Sequence, residues 1–496
     1  MQNKYLSIKI QPFYSYVILF MGAFFALMAT PLAPFANKIT NADSNVYIYC
    51  AEQILNGKIM YKEVFDHKGP VLYLFNIVGL LIGRGNVTWI WFVELGCLFI
   101  SLVFIFKSAS LYVERFIALL ATLSCLFLIL LLWERNGGNN TEEYAIPFIS
   151  TSMYYFLRFL KFNKIRMCHF ALIAFCCSGT FLLKPNFLSV WMVGYLFVFG
   201  VLLKNSNFKQ ILSIAMISVA IFIGVCIPFL LYFLYTDSLM DFKFCFWDFN
   251  KAYSDTSVLG IITRTVRRFW FAGHFWLSLI GRIHVIIFII IGILYFKRLK
   301  NNLESYFVFC ALILTNVMIS IGSYDFLNYY MLFVPLFVFL YAAVFHFLTK
   351  KLNVHHMVTI CLFLLLFSFG CFRQMKATFN KYNPLENLIT FIQNNSESSD
   401  KIAVVGHDCS IYLFSGRESV SRFAYISPVI SGGKLSEIIA ENFMEDVNLA
   451  KPRIIIITEE RYQYLPGLLE LLDFEYERFV LTDVRYDCWK RKECKK

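Results

Sequence analysis

The sequence predicts a polytopic α-helical membrane protein of about eleven spans, followed by a small soluble α/β unit. Three observations predict it. The chain is 58% hydrophobic and only 16% charged, with 55 Phe and a mean hydropathy of +0.62, whereas a soluble chain carries about a quarter charged residues. Its apolar residues fall in repeated runs close to the roughly 20 residues a helix needs to cross hydrocarbon. That pattern stops after about residue 372, where short β-branched runs alternate with helical periodicity.

Loop charge orients the spans. The basic segments Met1–Pro12, Lys107–Arg115, Arg158–Arg166, Lys204–Lys209, Lys297–Asn302 and Lys350–Asn353 read as cytoplasmic, because Lys and Arg accumulate inside. Ala36–Gly85, Trp133–Glu143, Lys184–Asn186, Thr236–Gly273, Gly322–Asn328 and the C-terminal part then lie outside. The first apolar run, Phe13 to Pro34, reads as an uncleaved span rather than a signal peptide. Val71–Ile82, at about 12 residues, is too short to cross and reads as an interfacial or re-entrant helix. The N-terminus is expected in the cytoplasm of a bacterial inner membrane and the C-terminus outside it.

The net charge of +12 follows from these basic loops, so no nucleic-acid partner is expected. The 14 Cys form no CxxC pair and no zinc spacing. Most lie in apolar runs, where Cys is a small hydrophobe.

The division expected is residues 1–371 as the membrane domain and 372–496 as an extracytoplasmic α/β domain. In the latter, Lys401–Val405, Arg453–Thr458 and a closing segment near Phe479–Val484 read as strands. Lys434–Leu449 and Tyr464–Leu472 read as helices. Gly406-His407-Asp408 and Gly432-Gly433 read as turns, and no GxGxxG or P-loop points to a nucleotide.

The segment Asn41–Pro70 holds the densest ionisable cluster, with Asp43, Glu52, Glu63, Asp66, His67 and Lys68 beside lipid. Asp43 precedes a periodic helix, Val46 to Leu55, that stops at Asn56-Gly57, so it reads as an N-cap. A helix N-terminus favours negative charge, and such a carboxylate can also act as general base for a hydroxyl. Gly69-Pro70 launches the short apolar helix and leaves Lys68 at headgroup depth, where it can meet a phosphate or pair with Asp66. In the second outside loop Gly-Gly-Asn-Asn forces a turn, Thr141 caps the next span, and Glu142 and Glu143 enter its first turn. Lys184 breaks an apolar stretch at the outer face. Arg264, Arg267 and Arg268 share a helix face suited to an anion. Tyr329 belongs to a tyrosine-rich start of a late span.

Together these features resemble the GT-C membrane glycosyltransferases, in particular glycosyltransferase family 39, the protein mannosyltransferase and aminoarabinose transferase-like group. The likeness rests on Asp43 after the first span, AEQILNGKIMY, FDHKGP with its short helix, GGNNTEEY, the Lys184-Pro185 break and the late tyrosines, over roughly the first 370 residues. It implies inverting transfer of a sugar from a polyprenyl-phosphate donor to a glycan, lipid or protein hydroxyl. It further implies that Asp43 matches the first-loop catalytic Asp, that Lys68 matches a Lys-Pro motif near the donor phosphate, and that Glu142 or Glu143 is the second acidic residue. Asp66, His67 and Tyr329 are candidate donor or acceptor contacts. Two departures stand out. Many relatives carry an acidic pair where this chain has Asp43-Ser44, so no clear ligand set for a divalent metal is present. Asn328-Tyr329-Tyr330 stands where relatives often have His-Tyr-Tyr. The rivals are a polysaccharide polymerase or ligase, and a transporter or lipid flippase. The latter is disfavoured because the spans carry almost no charge.

Overall fold

The computed structural model describes residues 11–36, 40–254, 257–275, 302–322, 326–350, 372, 385–427, 435–459, 462, 464–481 and 486–492. Among them, Thr88–Ser110, Arg115–Leu132, Phe208–Tyr235 and Asn328–Thr349 are long and apolar enough to cross a membrane. Five shorter apolar helices accompany them, and the chain is a multi-pass membrane protein. The first apolar run is helical only from Pro12 to Leu27, then breaks into turns through Ala36. On Phe208–Tyr235 the side chains of Leu212, Met216, Val219 and Ile223 are exposed, as lipid-facing residues are.

The chain forms two compact units. One comprises Met1–Ala36, Trp91–Pro228 and Thr256–Phe379; the other Asn37–Ile90, Phe229–Asp255 and Asn380–Lys496. The expected division at 371/372 follows the order of the chain, whereas these units follow packing, so two early segments fold with the last.

The first unit is a helical bundle. Arg115–Asn136 packs along Val334–Lys350, Thr141–Phe162 along Met167–Phe181, and Leu303–Ile319 along Ser189–Lys204. Small residues set the closest approaches: a Cβ on Gly194 would lie 2.3 Å from the Phe156 ring. Trp91, fully buried, donates its indole N–H to the Leu27 carbonyl at 2.8 Å, an oxygen at the helix end that also accepts the Thr30 N–H at 2.9 Å.

The second unit carries a five-stranded sheet. Its strands are β1 (Lys401–Val405), β2 (Glu418–Ser419), β3 (Ile454–Ile457), β4 (Tyr476–Phe479) and β5 (Asp487–Arg491), in the order β2-β1-β3-β5-β4. β1 pairs in parallel with β2 and β3, and β5 runs antiparallel between β3 and β4. All four Ile of β3 are buried, as in a strand covered on both faces. The helices Ser436–Ala450 and Leu468–Glu475 lie close to their expected places. The closing strand does not: a β4–β5 hairpin stands where one strand near Phe479–Val484 was expected, because Asp487–Arg491 lacks the β-branched alternation that marks a strand locally. Gly432 and Gly433 lie outside the described residues.

The segment Asn41–Pro70 belongs to this unit through specific bonds. The Phe65 N–H donates to the Arg422 carbonyl at 2.8 Å, and the Ser419 N–H to the Tyr49 hydroxyl at 2.9 Å. Lys58 and Glu418 form an ion pair at 2.9 Å. The helix Pro70–Ile82 is short, as expected, with Pro at its first position, where no N–H partner is needed. A Cβ on Gly79 would lie 2.7 Å from the Ile90 backbone, so the chain can fold back only over glycine.

Candidate functional site

Asp43 sits in the first turn of the helix Ala42–Leu55, but it is not the cap. Asn41 is the N-cap, its side chain accepting the Ser44 N–H at 2.8 Å. The cap expectation for Asp43 is therefore corrected: Asn41 satisfies the orphan donor, and Asp43 is left to face outward. Its carboxylate lies 3.5 Å from His407 Nε2, with the two side chains 41% and 32% exposed. Both are open enough to be reached by a solute.

His407 was read as a turn residue. It follows β1, at the carboxyl end of a parallel strand, where open α/β sheets place ligand sites. Gly406 makes that position attainable, with φ +139° and a would-be Cβ 1.8 Å from Thr458 Oγ1. Gly406→Ala should cost on the order of 2 kcal/mol or more through strain and clash, read as a lower unfolding temperature of the purified protein.

Behind this pair lies a buried polar cluster. Asp66 is 2% exposed. Its carboxylate accepts the Tyr73 hydroxyl at 2.6 Å, the Tyr425 hydroxyl at 2.8 Å and the His67 N–H at 2.6 Å. Burial opposes ionisation of Asp66, but the Lys68 and His67 charges and the two tyrosine hydroxyls outweigh it, holding the carboxyl below its usual value. A depressed carboxyl contributes stability above its unfolded value, near ~3.9, and that contribution is lost as pH falls through the folded value. Thermal stability should thus weaken on acidification, and Asp66→Asn should flatten that dependence.

Lys68 Nζ lies 2.7 Å from His67 Nε2 and 5.9 Å from the Tyr47 ring centre. The six-residue π turn Phe244–Phe249 supports this cluster, as such turns often do at functional sites. Phe249 lies against the His67 ring at 5.2 Å, and the next residue, Asn250, donates to the His67 carbonyl at 2.7 Å. The Tyr425 ring stacks on His407 at 4.9 Å between centres and 22°. Tyr425 therefore joins the Asp43–His407 pair to the Asp66–His67–Lys68 cluster.

The remaining candidates lie in the first unit. Asn140, not Thr141, takes the cap position of the helix Thr141–Phe162. Glu142 is buried at 4% exposure. Glu143 accepts the Asn140 amide at 2.8 Å and the Asn139 N–H at 3.2 Å. The same Asn139 N–H also donates to Glu94, a buried carboxyl on Thr88–Ser110 that sequence reading missed. Gly138 allows this approach, since a Cβ there would lie 2.7 Å from Glu94 Oε1. Leu27, Glu94, Cys97, Ser101, Glu143 and Tyr144 line a small cavity. The expectation of nearly charge-free spans is corrected here: Glu94 is tolerated because a folded turn supplies its donor.

Lys184 Nζ donates to the Tyr329 hydroxyl at 2.9 Å and lies 4.5 Å from that ring's centre. Asn328, in the same turn of chain, donates to Asn140 Oδ1 at 3.2 Å. Lys184-Pro185, the GGNN turn and the late tyrosines thus gather as one neighbourhood. Arg264 Nε is bonded to the Ser320 carbonyl at 2.7 Å, while Arg267 on the same helix is exposed. Arg268 lies on that helix, and its side chain is outside the described residues.

Among the described residues no three His, Cys, Asp or Glu side chains are placed to share a metal ion. Asp43 and His407 supply two donors, short of the set a stable site needs.

The family model described as "Putative competence-induced protein Ccs4 N-terminal domain" matches residues 3–356. No curated protein matches by sequence. Among solved structures, ArnT from Cupriavidus metallidurans in the apo state is similar over 97% of this chain and 98% of its own, at 11% identity and a TM-score of 0.62. The same protein bound to undecaprenyl phosphate matches over 96% and 97%, at 10% identity and a TM-score of 0.62. The Archaeoglobus fulgidus oligosaccharyltransferase, complexed with Zn and sulfate, matches over 95% of this chain and 72% of its own, at 14% identity and 0.57. The fold is shared with these structures: a polytopic helical body with a small α/β C-terminal extension.

Proposed function

We propose that this chain, which belongs to the competence-induced Ccs4 N-terminal domain family, is an integral-membrane glycosyltransferase of the family-39 kind. It moves a sugar from a polyprenyl-phosphate donor to an acceptor hydroxyl at the outer face of a bacterial inner membrane, with inversion. The observation that carries this reading is the presentation, on a GT-C fold, of an accessible first-loop Asp43 with Lys68 in the same compact unit. The undecaprenyl phosphate bound by the similar ArnT structure supports a lipid-phosphate donor.

In this reading Asp43 takes the acceptor's proton as its oxygen attacks the anomeric carbon. The carbon–phosphate oxygen bond breaks, and the lipid phosphate leaves with the electron pair, its charge offset by cations. Lys68 is the proposed contact in its unit. Lys184, Arg264, Arg267 and Arg268 are the proposed phosphate-binding cations of the other, with Glu142 and Glu143 as its acidic groups and Tyr329 as a donor or acceptor contact. Asp66 and His67 hold Lys68 in place. No step is routed through a metal, and the acceptor class is a glycan, lipid or protein hydroxyl.

The test is turnover by the purified full chain in vesicles supplied with a panel of synthetic undecaprenyl-phosphate hexoses and pentoses and an envelope extract as acceptor. Release of undecaprenyl phosphate together with a new glycoside is expected, and nucleotide sugars should not substitute. Transbilayer movement of the lipid-linked sugar without a new glycoside would establish the flippase reading instead.

A further inference from the structure

We infer that His407, supplied by the C-terminal α/β fold, is the proton partner of Asp43: it orients the carboxylate and receives the proton that Asp43 removes. This rests on the proposed role of Asp43 as base. Four observations carry it. His407 Nε2 is 3.5 Å from Asp43 Oδ1, a small adjustment from hydrogen-bond distance, and such contacts tighten in reactive complexes. The imidazole is held in place by Tyr425, whose ring stacks on it and whose hydroxyl is fixed by buried Asp66. Its backbone position needs Gly406, at φ +139° and against Thr458. Finally, both side chains remain partly open to solvent, so a proton passed to the ring has an exit.

The proton balance closes without a co-reactant. The acceptor O–H proton passes to Asp43 and then to His407 Nε2. The acceptor oxygen forms the new bond to the anomeric carbon, and the lipid phosphate departs with the electrons of the bond that breaks. Handing the proton over returns Asp43 to the carboxylate form, and His407 then releases that proton to water, which returns the ring to its neutral form for the next acceptor. Imidazole suits that task because a ring nitrogen can accept a proton and afterwards act as its donor. His407 acts through Asp43 and is a positioning residue.

The experiment compares wild type, Asp43→Asn, His407→Gln, His407→Ala and the double variant Asp43→Asn/His407→Gln in the vesicle assay above. His407→Gln, close in size and still able to hydrogen-bond, should lower kcat by ~10–100-fold with the KM for the lipid-linked sugar unchanged. The double variant should be no slower than Asp43→Asn alone, since residues acting as a unit are not additive. Added imidazole should restore part of the rate of His407→Ala. Binding of undecaprenyl phosphate and the unfolding temperature serve as folding controls and should match wild type in His407→Gln. Wild-type kcat in His407→Gln beside an inactive Asp43→Asn overturns the relay and leaves the proposed function standing. Full activity in Asp43→Asn removes the base and the relay together. A His407→Gln rate restored by added divalent metal ion would make His407 a ligand and overturn the relay.

Discussion

Asp43→Asn will lower sugar transfer by about 10²–10⁴-fold, the usual contribution of a positioned base, while the protein is produced, folds and binds undecaprenyl phosphate as before. The asparagine amide keeps the size and one acceptor oxygen of the carboxylate but cannot take a proton. The substitution leaves the helix start intact, because Asn41 caps it through the Ser44 N–H. It does remove a negative charge from the first turn, at a cost of roughly 0.3–1 kcal/mol in helix stability. That is too little to mimic a catalytic loss. Single-turnover measurement of undecaprenyl phosphate release decides the matter, and a rate within a factor of about three of wild type would sink the role of Asp43.

Lys68→Ala will weaken binding of the lipid phosphate by roughly 10–100-fold, because a charge-assisted hydrogen bond contributes about 1.5–3 kcal/mol. The effect should be larger at low ionic strength and partly retained by Lys68→Arg, which keeps the charge. Lys68 has a second task that the measurement must separate. Its charge is one reason the buried Asp66 carboxyl stays ionised, so the alanine variant should also unfold at lower temperature. Undecaprenyl phosphate binding measured well below the unfolding transition distinguishes the two. An unchanged dissociation constant there would remove Lys68 from the phosphate site.

What could be read in the sequence was what the chain specifies locally. Pro70–Ile82 was legible because Gly69-Pro70 starts it and about a dozen apolar residues cannot cross a bilayer. β1 and β3 were legible as β-branched runs between turns. The basic loops and apolar runs showed a multi-pass protein directly. The partners of the site were not legible, because each is made by distant segments. Tyr425 meets Asp66 across 359 positions and Asn250 meets His67 across 183. His407 looked like a turn residue, and nothing beside it in the chain points to Asp43. Glu94 was a lone carboxyl in an apolar run, and its meaning lies in the Asn139 N–H of another loop. Only the glycine of Gly406-His407-Asp408 gave a signal: a Gly after a strand that holds a chemically able side chain where parallel strands end.

The union of the segment Asn41–Pro70 with the last strands sets a timetable for making the protein. Asn41–Pro70 is made early in synthesis, yet Arg422 and Tyr425, which bind Phe65 and Asp66, emerge some 360 residues later. At roughly 5–20 residues per second, the segment waits about 20–70 s with Asp66 lacking one tyrosine and the Phe65 amide lacking its carbonyl. A ribosome that stops before β2 therefore leaves Phe65 and Asp66 without the partners that Arg422 and Tyr425 supply. The nascent segment also offers a protease an uncompleted stretch of chain, so premature chains should be cut between Asn41 and Pro70 while finished ones resist.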